Sequence, residues 1–496
     1  MSDDLIIAID AGGTVVKVVA FDLTGGAFAI ETAAVKTIHH DDGRVEREVE
    51  AFWSGTVLAL RRIMAVCAKH RILGVGCTGF GNGIFLVDDD GHGTRPGIVS
   101  VDHRAQPLVD ALAATNEATE IAEITGNRIW GGQTVMQLAY LARTEPEVMN
   151  RTRWALACKD LIRMRLTGSA STDPTDASGG GLMNLKSGTY ALSVFERLGL
   201  TPHLHRLPPI VDSDMIAGHI SRRASEETCL PEGTPVAGSM MDVAACALGA
   251  GAFNAPFLTM IAGTWSINCL ETGPSQSQGA DVPILNMLYR GGAGRLIAEG
   301  SPSSAANLGW FLDHVMGGKL SLGTANEMVA ASPVITRRCQ FLPYIFGPEP
   351  RRGGFVDMSA GDNLGTMLRA IYEGVVFQAK RHADEAVALA GCHFPPTIRL
   401  AGGASKSSVW AQIFANICQR PVEAVRTTEV GALGAAICAA VASGAYANLA
   451  EASRQMTGAG QRYEPDPKLA DFYEERFRKF CLLDEGMAEQ LKQTAC

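Results

Sequence analysis

The sequence lacks the features that mark membrane-spanning and nucleic-acid-binding proteins. No window holds the roughly 18 uninterrupted apolar residues that a membrane helix needs. The short apolar run near the start has no basic residues before it, unlike a signal peptide. No stretch of useful length is basic, and the formal net charge is -9, whereas nucleic-acid binders carry a basic surface. We therefore expect a cytoplasmic protein that contacts neither a membrane nor a nucleic acid.

The cysteines lack the spacing of a metal site. The chain has 12 of them, but the nearest pair is Cys67 and Cys77, so there is no C-x-x-C. This spacing excludes the usual zinc motifs and predicts buried thiols in a reducing compartment. Hydrophobic residues make up 47% of the 496 residues and charged residues 19%. Such a composition predicts large apolar cores, spread over two or three domains, rather than disorder.

Glycine-rich turns after apolar strands form a repeated pattern. Residues 5–9 predict a buried strand that ends at a turn, and the β-branched run 15–21 favours a second strand over a helix. An apolar strand at 257–261, a Gly-Thr turn and a second apolar strand at 266–270 repeat this order. The repetition suggests an internal duplication.

Three of these turns could bind phosphate. They lie at residues 10–14, 263–266 and 402–405, and glycine lets backbone N–H groups approach an anion. The alternative for each is an ordinary turn. None of the three contains the G-x-x-x-x-G-K-[ST] sequence of a P-loop or the G-x-G-x-x-G of a dinucleotide site. The protein is therefore not expected to bind nucleotides through either of those motifs.

Two acidic residues lie in unusual surroundings. Asp10 ends the first strand just before glycines, where a carboxylate beside phosphates favours Mg²⁺ coordination; an Asx-turn residue is the alternative. Asp242 lies between small and apolar residues. It could serve as a general base that accepts a hydroxyl proton, or it could cap a helix. Lys17 could face either phosphate or solvent.

Further expectations concern helices and domain boundaries. The stretch 154–166 is expected to form one helix that ends at Gly168. The mixed charge of residues 469–494 predicts a helix in a solvated outer layer. A break in the chain near Asn254-Ala255-Pro256 suggests two domains, residues 1–253 and 254–496.

A series of motifs, in order and spacing, resembles the FGGY family of carbohydrate kinases. The resemblance spans from about residue 5 to about residue 445. It implies an α/β fold of two actin-like ATPase (ribonuclease H-like) domains with an interdomain cleft, the first binding the sugar and the second ATP, with Mg²⁺. The motifs are Asp10-Ala-Gly-Gly-Thr-x-x-Lys17, Lys159-Asp160-Leu161 through Gly168, Gly238-x-x-x-Asp242, Gly263-Thr264, Phe341-Leu342-Pro343-Tyr344, Tyr372-Glu373-Gly374, Gly402-Gly403-Ala-Ser405 and Glu429-x-Gly-Ala-Leu-Gly434.

The resemblance also implies roles by motif position. Asp242 matches the catalytic base of the family, and Asp10 matches the acid near Mg²⁺, with Asp242 as a second carboxylate near the metal. The residues that match phosphate and nucleotide contacts are Gly12, Gly13, Thr14, Lys17, Gly263, Thr264, Gly402, Gly403 and Ser407.

Sugar recognition follows the family less closely. The family's sugar-reading loop includes Phe80 and Asn82 here, and it departs from the Gln-Met-His-Gly of D-xylulose kinases and the Gln-Arg-Glu of glycerol kinases. Asn82 could bind a vicinal diol or act as a left-handed turn residue. Trp130 could stack on the sugar or belong to a core. Asp102 and Arg104 could line the sugar site or lock the first domain.

The stretch 299–311, with 127–130 and 263–265, looks like L-xylulose/3-keto-L-gulonate kinases. We expect ATP-dependent phosphorylation of a terminal hydroxyl of a small sugar or polyol, such as the ketopentose L-xylulose or 3-keto-L-gulonate. The alternatives are an erythritol/xylitol-type polyol kinase, a D-xylulose kinase, and a non-catalytic actin-like module that only binds ATP. The expected partners are a small-molecule sugar and a second copy of the chain in a homodimer.

Overall fold

Contacts divide the chain into two compact units. In the computed structural model, the first unit comprises Met1–Asn254, Glu271–Ile297 and Glu429–Gly458, and the remaining residues form the second. The break expected between residues 253 and 254 lies outside the described residues. No helix in the described ranges is long and apolar enough to cross a membrane. The structure describes residues 4–251, 257–263, 265–273, 285–289, 294–301, 304–334, 338–346, 351–458 and 460–494.

The strands and helices alternate along much of the chain. The strands are β1 (Asp4–Ala11), β2 (Val15–Asp22), β3 (Ala27–Ala34), β4 (Ile38–His39), β5 (Val45–Arg47), β6 (Arg71–Gly79), β7 (Phe85–Val87), β8 (Gly97–Ile98), β9 (Trp154–Leu156), β10 (Met183–Asn184), β11 (Thr189–Tyr190), β12 (Ile216–His219), β13 (Pro235–Ala237), β14 (Phe257–Ala262), β15 (Ser266–Thr272), β16 (Leu285–Tyr289), β17 (Gly294–Ser301), β18 (Gln340–Leu342), β19 (Gly354–Val356), β20 (Thr397–Ala401), β21 (Val422–Ala424) and β22 (Arg462–Tyr463). The helices are α1 (Val49–Val66), α2 (Gln106–Ala113), α3 (Glu117–Thr125), α4 (Thr134–Thr144), α5 (Pro146–Arg151), α6 (Cys158–Thr167), α7 (Pro174–Gly179), α8 (Leu192–Arg197), α9 (Arg222–Thr228), α10 (Asp242–Gly249), α11 (Ala306–Trp310), α12 (Leu322–Ala331), α13 (Leu364–Ala390), α14 (Ser408–Cys418), α15 (Val430–Ala442), α16 (Leu449–Met456) and α17 (Ala470–Thr494).

A six-stranded sheet forms the centre of the first unit. Its order is β12-β13-β6-β1-β2-β3, and β1 runs antiparallel to β2 and parallel to β6. The apolar run of β1 is buried from Leu5 to Ile9, as expected for a strand covered on both faces. Because β1 and β6 are parallel, Asp10 lies opposite Thr78 at the carboxyl ends of both strands. The residues that follow β6 therefore start beside Asp10.

Glycines allow α15 to pack directly on the backbones of α10 and β6. A Cβ atom on Gly434 would lie 1.9 Å from the carbonyl oxygen of Ala245, and one on Gly76 would lie 2.1 Å from that of Ala435. These distances leave room for glycine only. The close packing is why residues 429–458 belong to the first unit although segments of the second unit lie before and after them in sequence.

We expect Gly434→Ala to destabilise the first unit by roughly 2–3 kcal/mol, since the methyl group must push two helix backbones apart. Chemical denaturation would measure this change in the free energy of unfolding. Gly486→Ala is the matched control, because Gly486 lies within α17 and a Cβ atom added there would have no neighbouring atom within 4 Å. The control should raise stability by about 0.5–1 kcal/mol. Equal effects of the two substitutions would contradict the proposed packing.

The second unit repeats the strand arrangement around β1. Strand β14 runs antiparallel to β15 and parallel to β20, and β20 runs parallel to β21. The same relations join β1 to β2 and to β6, and β6 to β13. This correspondence supports the internal duplication. The long helix α13 begins with a capping box made by Asn363 and Thr366.

Two helix predictions were wrong in part. Residues Trp154–Leu156 form β9 and pair with β7, so the helix starts only at Cys158; the cross-strand pairing outweighs the local helical pattern. Helix α17 is not simply a solvated layer. Its Tyr473 and Phe480 are buried against Phe377 of α13, because its apolar side chains share one face despite the mixed charge.

Candidate active site

Asp10 lies at the end of β1 in a charged group of side chains. Its cross-strand neighbour is Lys17, and the Lys17 ammonium donates a short hydrogen bond to the carboxylate of Glu429. Burial raises the pKa of Asp10 to about 6, although Lys17 lowers it and Glu429 raises it further. Lys17 therefore faces a carboxylate rather than open solvent. The sequence indicates Glu429 only as part of a motif, and the structure adds its side chain to the group.

Asp242 is the first residue of α10, but it is not the cap of that helix. The N-cap is Met241, and Asp242 Oδ1 accepts a hydrogen bond of 2.7 Å from the N–H of Val243. Burial raises the pKa of Asp242 to about 7, and the charge of Asp10 raises it further, against hydrogen bonds from the N–H groups of Val243 and Gly81. The charges of the two acids therefore repel each other, and Oδ2 of Asp10 and Sγ of Cys246, on α10, would both lie 3.3 Å from a Cβ atom on Gly431.

This pair of acids fits a magnesium ion that takes its other ligands from outside the protein. Mg²⁺ is commonly held by one or two carboxylates together with phosphate oxygens and water. Asp10 and Asp242 offer two such carboxylates, and a cation between them would offset the repulsion that raises the pKa of Asp242. Among the described residues, no group of three or more His, Cys, Asp or Glu side chains could hold a metal ion by itself.

Arg47 supports the first glycine turn through hydrogen bonds to its backbone. Its guanidinium donates hydrogen bonds to the carbonyl oxygens of Gly12, at 3.3 Å, and Gly13. It is fully buried over the ring of Phe80, 5.3 Å from the centroid. Gly13 and Thr14 are exposed. Sequence reasoning missed Arg47, because nothing in the local pattern links a residue of β5 to the turn after β1.

The second unit, described by itself, contains two further glycine turns. In the turn after β20, Gly402 has a φ of 85°, and a Cβ there would lie 2.6 Å from the carbonyl oxygen of Ala262. In the turn between β14 and β15, the N–H of Gly263 donates to the carbonyl oxygen of Trp265 at 3.1 Å. Thr264 lies outside the described residues. Gly403 begins a short 3₁₀ helix after the Gly402 turn.

Ser407 caps a helix of the second unit. Its Oγ accepts from the N–H of Trp410 at the start of α14 and donates to Oδ1 of Asn326 at 2.8 Å. The Tyr372 hydroxyl donates to the same Asn326 oxygen at 2.9 Å, and its ring stacks on Trp410. The Ser407 side chain is thus fixed by its neighbours, and its contact with a nucleotide stays a prediction.

The loop after β6 adopts the left-handed turn that was one interpretation of Asn82. Asn82 has a φ of 64° and is buried. Its Oδ1 accepts a hydrogen bond of 3.4 Å from the N–H of Thr134, at the start of α4. The neighbouring Phe80 is buried beneath Arg47. Asn82 therefore has a structural role, and its contact with a diol stays a prediction.

Asp102 and Arg104 form an internally paired network. The Arg104 guanidinium donates to both Asp102 oxygens, at 2.9 and 2.7 Å, and to Glu46 at 2.8 Å. The Val45 N–H donates to Asp102 at 2.6 Å. Burial alone would raise the pKa of Asp102, but the hydrogen bonds from Arg104 and Val45 bring it below its usual value. This geometry favours a lock within the first unit over a sugar contact.

A buried charge cluster lies on α6 and α7. Lys159 Nζ is 2.6 Å from Asp160, 2.9 Å from Asp173 and 2.9 Å from Asp176, and all four side chains are buried. Burial raises the pKa of Asp176 to about 8, against the lowering effect of Lys159. The Lys159-Asp160 motif therefore has a structural basis in this cluster.

Comparisons with known proteins agree with this architecture. The N-terminal domain of the FGGY family of carbohydrate kinases matches residues 5–249, and the C-terminal domain matches residues 258–443. The probable L-xylulose kinase of Pasteurella multocida is 30% identical over 98% of this chain and 99% of its own. The erythritol kinase of Brucella abortus is 30% identical over 96% of this chain and 94% of its own.

Solved structures share the fold. The gluconate kinase from Lactobacillus acidophilus superposes with a TM-score of 0.90 at 22% identity, covering 99% of each chain. The xylulose kinase from the same organism gives 0.89 at 22% identity, covering 99% of this chain and 100% of its own. The two family domains, the relatives that match nearly full length and the repeated sheet together identify the chain as a member of the FGGY family of carbohydrate kinases, which use ATP as the phosphate donor.

Proposed function

We propose that this carbohydrate kinase transfers the terminal phosphate of ATP to a terminal hydroxyl of a small open-chain ketose or polyol. L-xylulose is the first candidate acceptor and 3-keto-L-gulonate the second, because the relative from Escherichia coli named for both sugars is 28% identical over 96% of this chain. Erythritol is a third candidate, supported by the 30% identity of the erythritol kinase. Xylitol and D-xylulose remain alternatives.

The observation that carries the proposal is the environment of Asp242. Its carboxyl lies at the start of α10 with a pKa raised to about 7 by burial and by Asp10. A general base works best when its pKa lies near the working pH, because it is then both ionised and able to accept a proton. Asp242 accepts the proton of the attacking hydroxyl, and that oxygen displaces ADP from the terminal phosphate.

The remaining site residues hold the phosphates and the acceptor. In the first unit, Asp10 and Asp242 would hold Mg²⁺, which supplies neutralisation of the phosphate charge. The backbone of Gly12, Gly13 and Thr14 contacts the phosphates, with Lys17 beside them. The nucleotide contacts of the second unit come from Gly263, Thr264, Gly402, Gly403 and Ser407. The acceptor contacts of the first unit come from Phe80, Asn82 and Trp130, while Asp102 and Arg104 pair with each other and with Glu46 within the same unit.

ADP release in the presence of a panel of acceptors tests the proposal. The panel contains L-xylulose, 3-keto-L-gulonate, D-xylulose, L-ribulose, erythritol, xylitol and glycerol. We expect acceptor-dependent ADP release with at least one open-chain ketose or tetritol. ATP hydrolysis that no acceptor stimulates would instead support the non-catalytic actin-like module. Activity with glycerol alone would contradict the substrate class.

Removing the charge of Asp10 is expected to move the acidic limb of the pH profile. Asp10 raises the pKa of Asp242, so Asp10→Asn lowers that pKa, and the ionised base persists to lower pH. The profile of kcat/KM, which reports the free enzyme, should therefore shift its acidic limb downward even as the rate falls. Glu429→Gln is the control, because Glu429 raises the pKa of Asp10, and its substitution leaves the carboxylate of Asp10 in place. An unshifted limb in Asp10→Asn would contradict the coupling of the two acids.

The proposal also includes a homodimer in the cytoplasm. Light scattering of the purified protein at micromolar concentration measures the oligomeric state, and a mass of one chain would contradict the dimer. Cell fractionation of the native host measures the location.

A further inference from the structure

Buried polar atoms without partners cluster on the segment from Trp130 to Gln137. Within the described part of the chain, no hydrogen bond reaches Nε1 of Trp130, either amide atom of Gln133, or Oε1 of Gln137. Gln133 and Gln137 are fully buried. Native proteins leave few buried polar groups unpaired, because each costs free energy that an apolar side chain would not. Such a set on one short segment therefore calls for a ligand.

The position of Gln133 at the start of a helix makes its unpaired side-chain amide unusual. Gln133 is the N-cap residue of α4, yet its side chain makes no capping hydrogen bond. Two of the first N–H groups of that helix donate to other residues instead. The Thr134 N–H donates to Oδ1 of Asn82, and the Val135 N–H donates to the carbonyl oxygen of Gly180. A Cβ on Gly181 would lie 2.8 Å from Nε2 of Gln133, so a glycine makes room for this amide.

Gln133 is linked to Asp242 through its neighbours in sequence. Asn82, which accepts from the residue after Gln133, directly follows Gly81, and the N–H of Gly81 donates to the Asp242 carboxyl. A Cβ on Gly81 would lie 2.3 Å from Cε of Met241, the residue before Asp242. These contacts connect the loop at Gly81 and Asn82 both to Asp242 and to the helix start that carries the unpaired Gln133 amide.

The donors and acceptors of the unpaired groups indicate which ligand they would bind. The Trp130 indole offers a donor, Gln133 offers donors and an acceptor, and Gln137 Oε1 offers an acceptor. A hydroxyl both donates and accepts, so it matches the set, whereas a carboxylate only accepts and would leave the Gln133 and Gln137 oxygens unpaired. Arg104 is linked to this segment through Asp102, whose carbonyl oxygen accepts from Gln137 Nε2, and its guanidinium is already paired with Asp102 and Glu46.

We propose that Gln133 is a specificity-determining residue that binds a neutral hydroxyl of the acceptor, away from the hydroxyl that is phosphorylated. This inference rests on the proposed function and narrows its substrate class. Trp130 Nε1 and Gln137 Oε1 complete the contact. The enzyme accordingly favours a neutral polyol or ketose over an acceptor that carries a carboxylate.

Steady-state kinetics of Gln133→Leu test the proposal. We expect the KM for the neutral acceptor to rise roughly 10-fold or more, because the variant cannot pair with the hydroxyl. The KM for ATP and kcat should stay within about 2-fold. The melting temperature should not fall, because leucine replaces an unpaired amide with an apolar group of similar size. Gln412→Leu is the matched control: the Gln412 amide is paired with Asn416 and Glu464 in the second unit, and the acceptor KM should not change.

Two outcomes would overturn the inference: an unchanged acceptor KM in Gln133→Leu, or a higher kcat/KM for 3-keto-L-gulonate than for L-xylulose and erythritol in the wild type. Gln133→Glu, which loses the donor but keeps the shape, replaces Gln133→Leu if that variant does not fold, with the same expected rise in KM. If the wild type releases no ADP with any acceptor, the proposed function fails. Calorimetric titration of L-xylulose and erythritol without ATP, into the wild type and the variant, then decides the inference, with equal affinities or no binding overturning it.

Discussion

Replacing Asp242 with asparagine is expected to lower kcat by roughly 10²–10⁴-fold, the usual contribution of a general base. Asparagine keeps the shape of the side chain and can still accept from the N–H of Val243, so the start of α10 should be preserved. It cannot accept the proton of the acceptor hydroxyl. Single-turnover measurements with saturating ATP and acceptor would isolate the chemical step from product release.

The same substitution should make the protein more stable at neutral and alkaline pH. In the folded protein the pKa of Asp242 is raised from 3.8 to about 7, so between these values the folded state holds a proton that the unfolded state has lost. Stability therefore falls as the pH rises through this range. Asparagine does not titrate, so the variant should exceed the wild type above about pH 7 and match it near pH 4. Near-normal kcat, or a loss of stability at pH 8, would contradict the role of this acid.

The sequence predicted the parts of this molecule that depend on neighbours along the chain. The strand, glycine turn and strand at Asp10 could be read directly, because β-branched residues and glycines restrict the backbone locally. The strands expected at 257–261 and 266–270 form β14 and β15 for the same reason. Asp242 stood out because a lone acid among small and apolar residues needs a reason to be buried.

The parts that the sequence did not predict depend on residues that meet only in the fold. Arg47 reaches the Gly12 turn from β5, and no spacing in the sequence links the two. The strand Trp154–Leu156 was mistaken for helix because its partner, β7, lies far away along the chain. Gln133 resembles any glutamine at a helix start until its partners are counted, and only the structure shows that its amide has none among the described residues.

The cluster around Lys159 predicts a large loss of stability when this lysine is replaced. One ammonium is in contact with three buried carboxylates, and Arg163 adds a hydrogen bond to Asp160 at 2.7 Å. Removing one partner of a buried ion pair is costly because it leaves uncompensated charge in a medium of low polarity. Here a single substitution at Lys159 would leave Asp160 paired with Arg163 and would remove the ammonium from Asp173 and Asp176.

We expect Lys159→Met to lower the free energy of unfolding by roughly 3–5 kcal/mol near neutral pH, the usual cost of an unpaired buried charge. Denaturant titrations from about pH 5 to pH 8 would measure it. The loss should be smaller at the acidic end, because the buried carboxyls can then take up protons and become neutral. Lys380→Met, which removes a partly exposed pair with Asp384 on α13, should cost only about 0.5 kcal/mol.

Two further substitutions separate charge from packing within the cluster. Burial raises the pKa of Asp176 from 3.8 to about 8, so between these values the folded protein holds a proton that the unfolded chain has lost. Asp176→Asn does not titrate and should therefore raise stability at pH 7 and slightly more at pH 8. The pKa of Asp160 is lowered, because Lys159 and Arg163 outweigh the effect of burial, so Asp160→Asn removes a charge that the cluster uses and should destabilise at pH 7. Equal losses from both substitutions would mean that shape, and not the balance of charge around Lys159, holds these helices together.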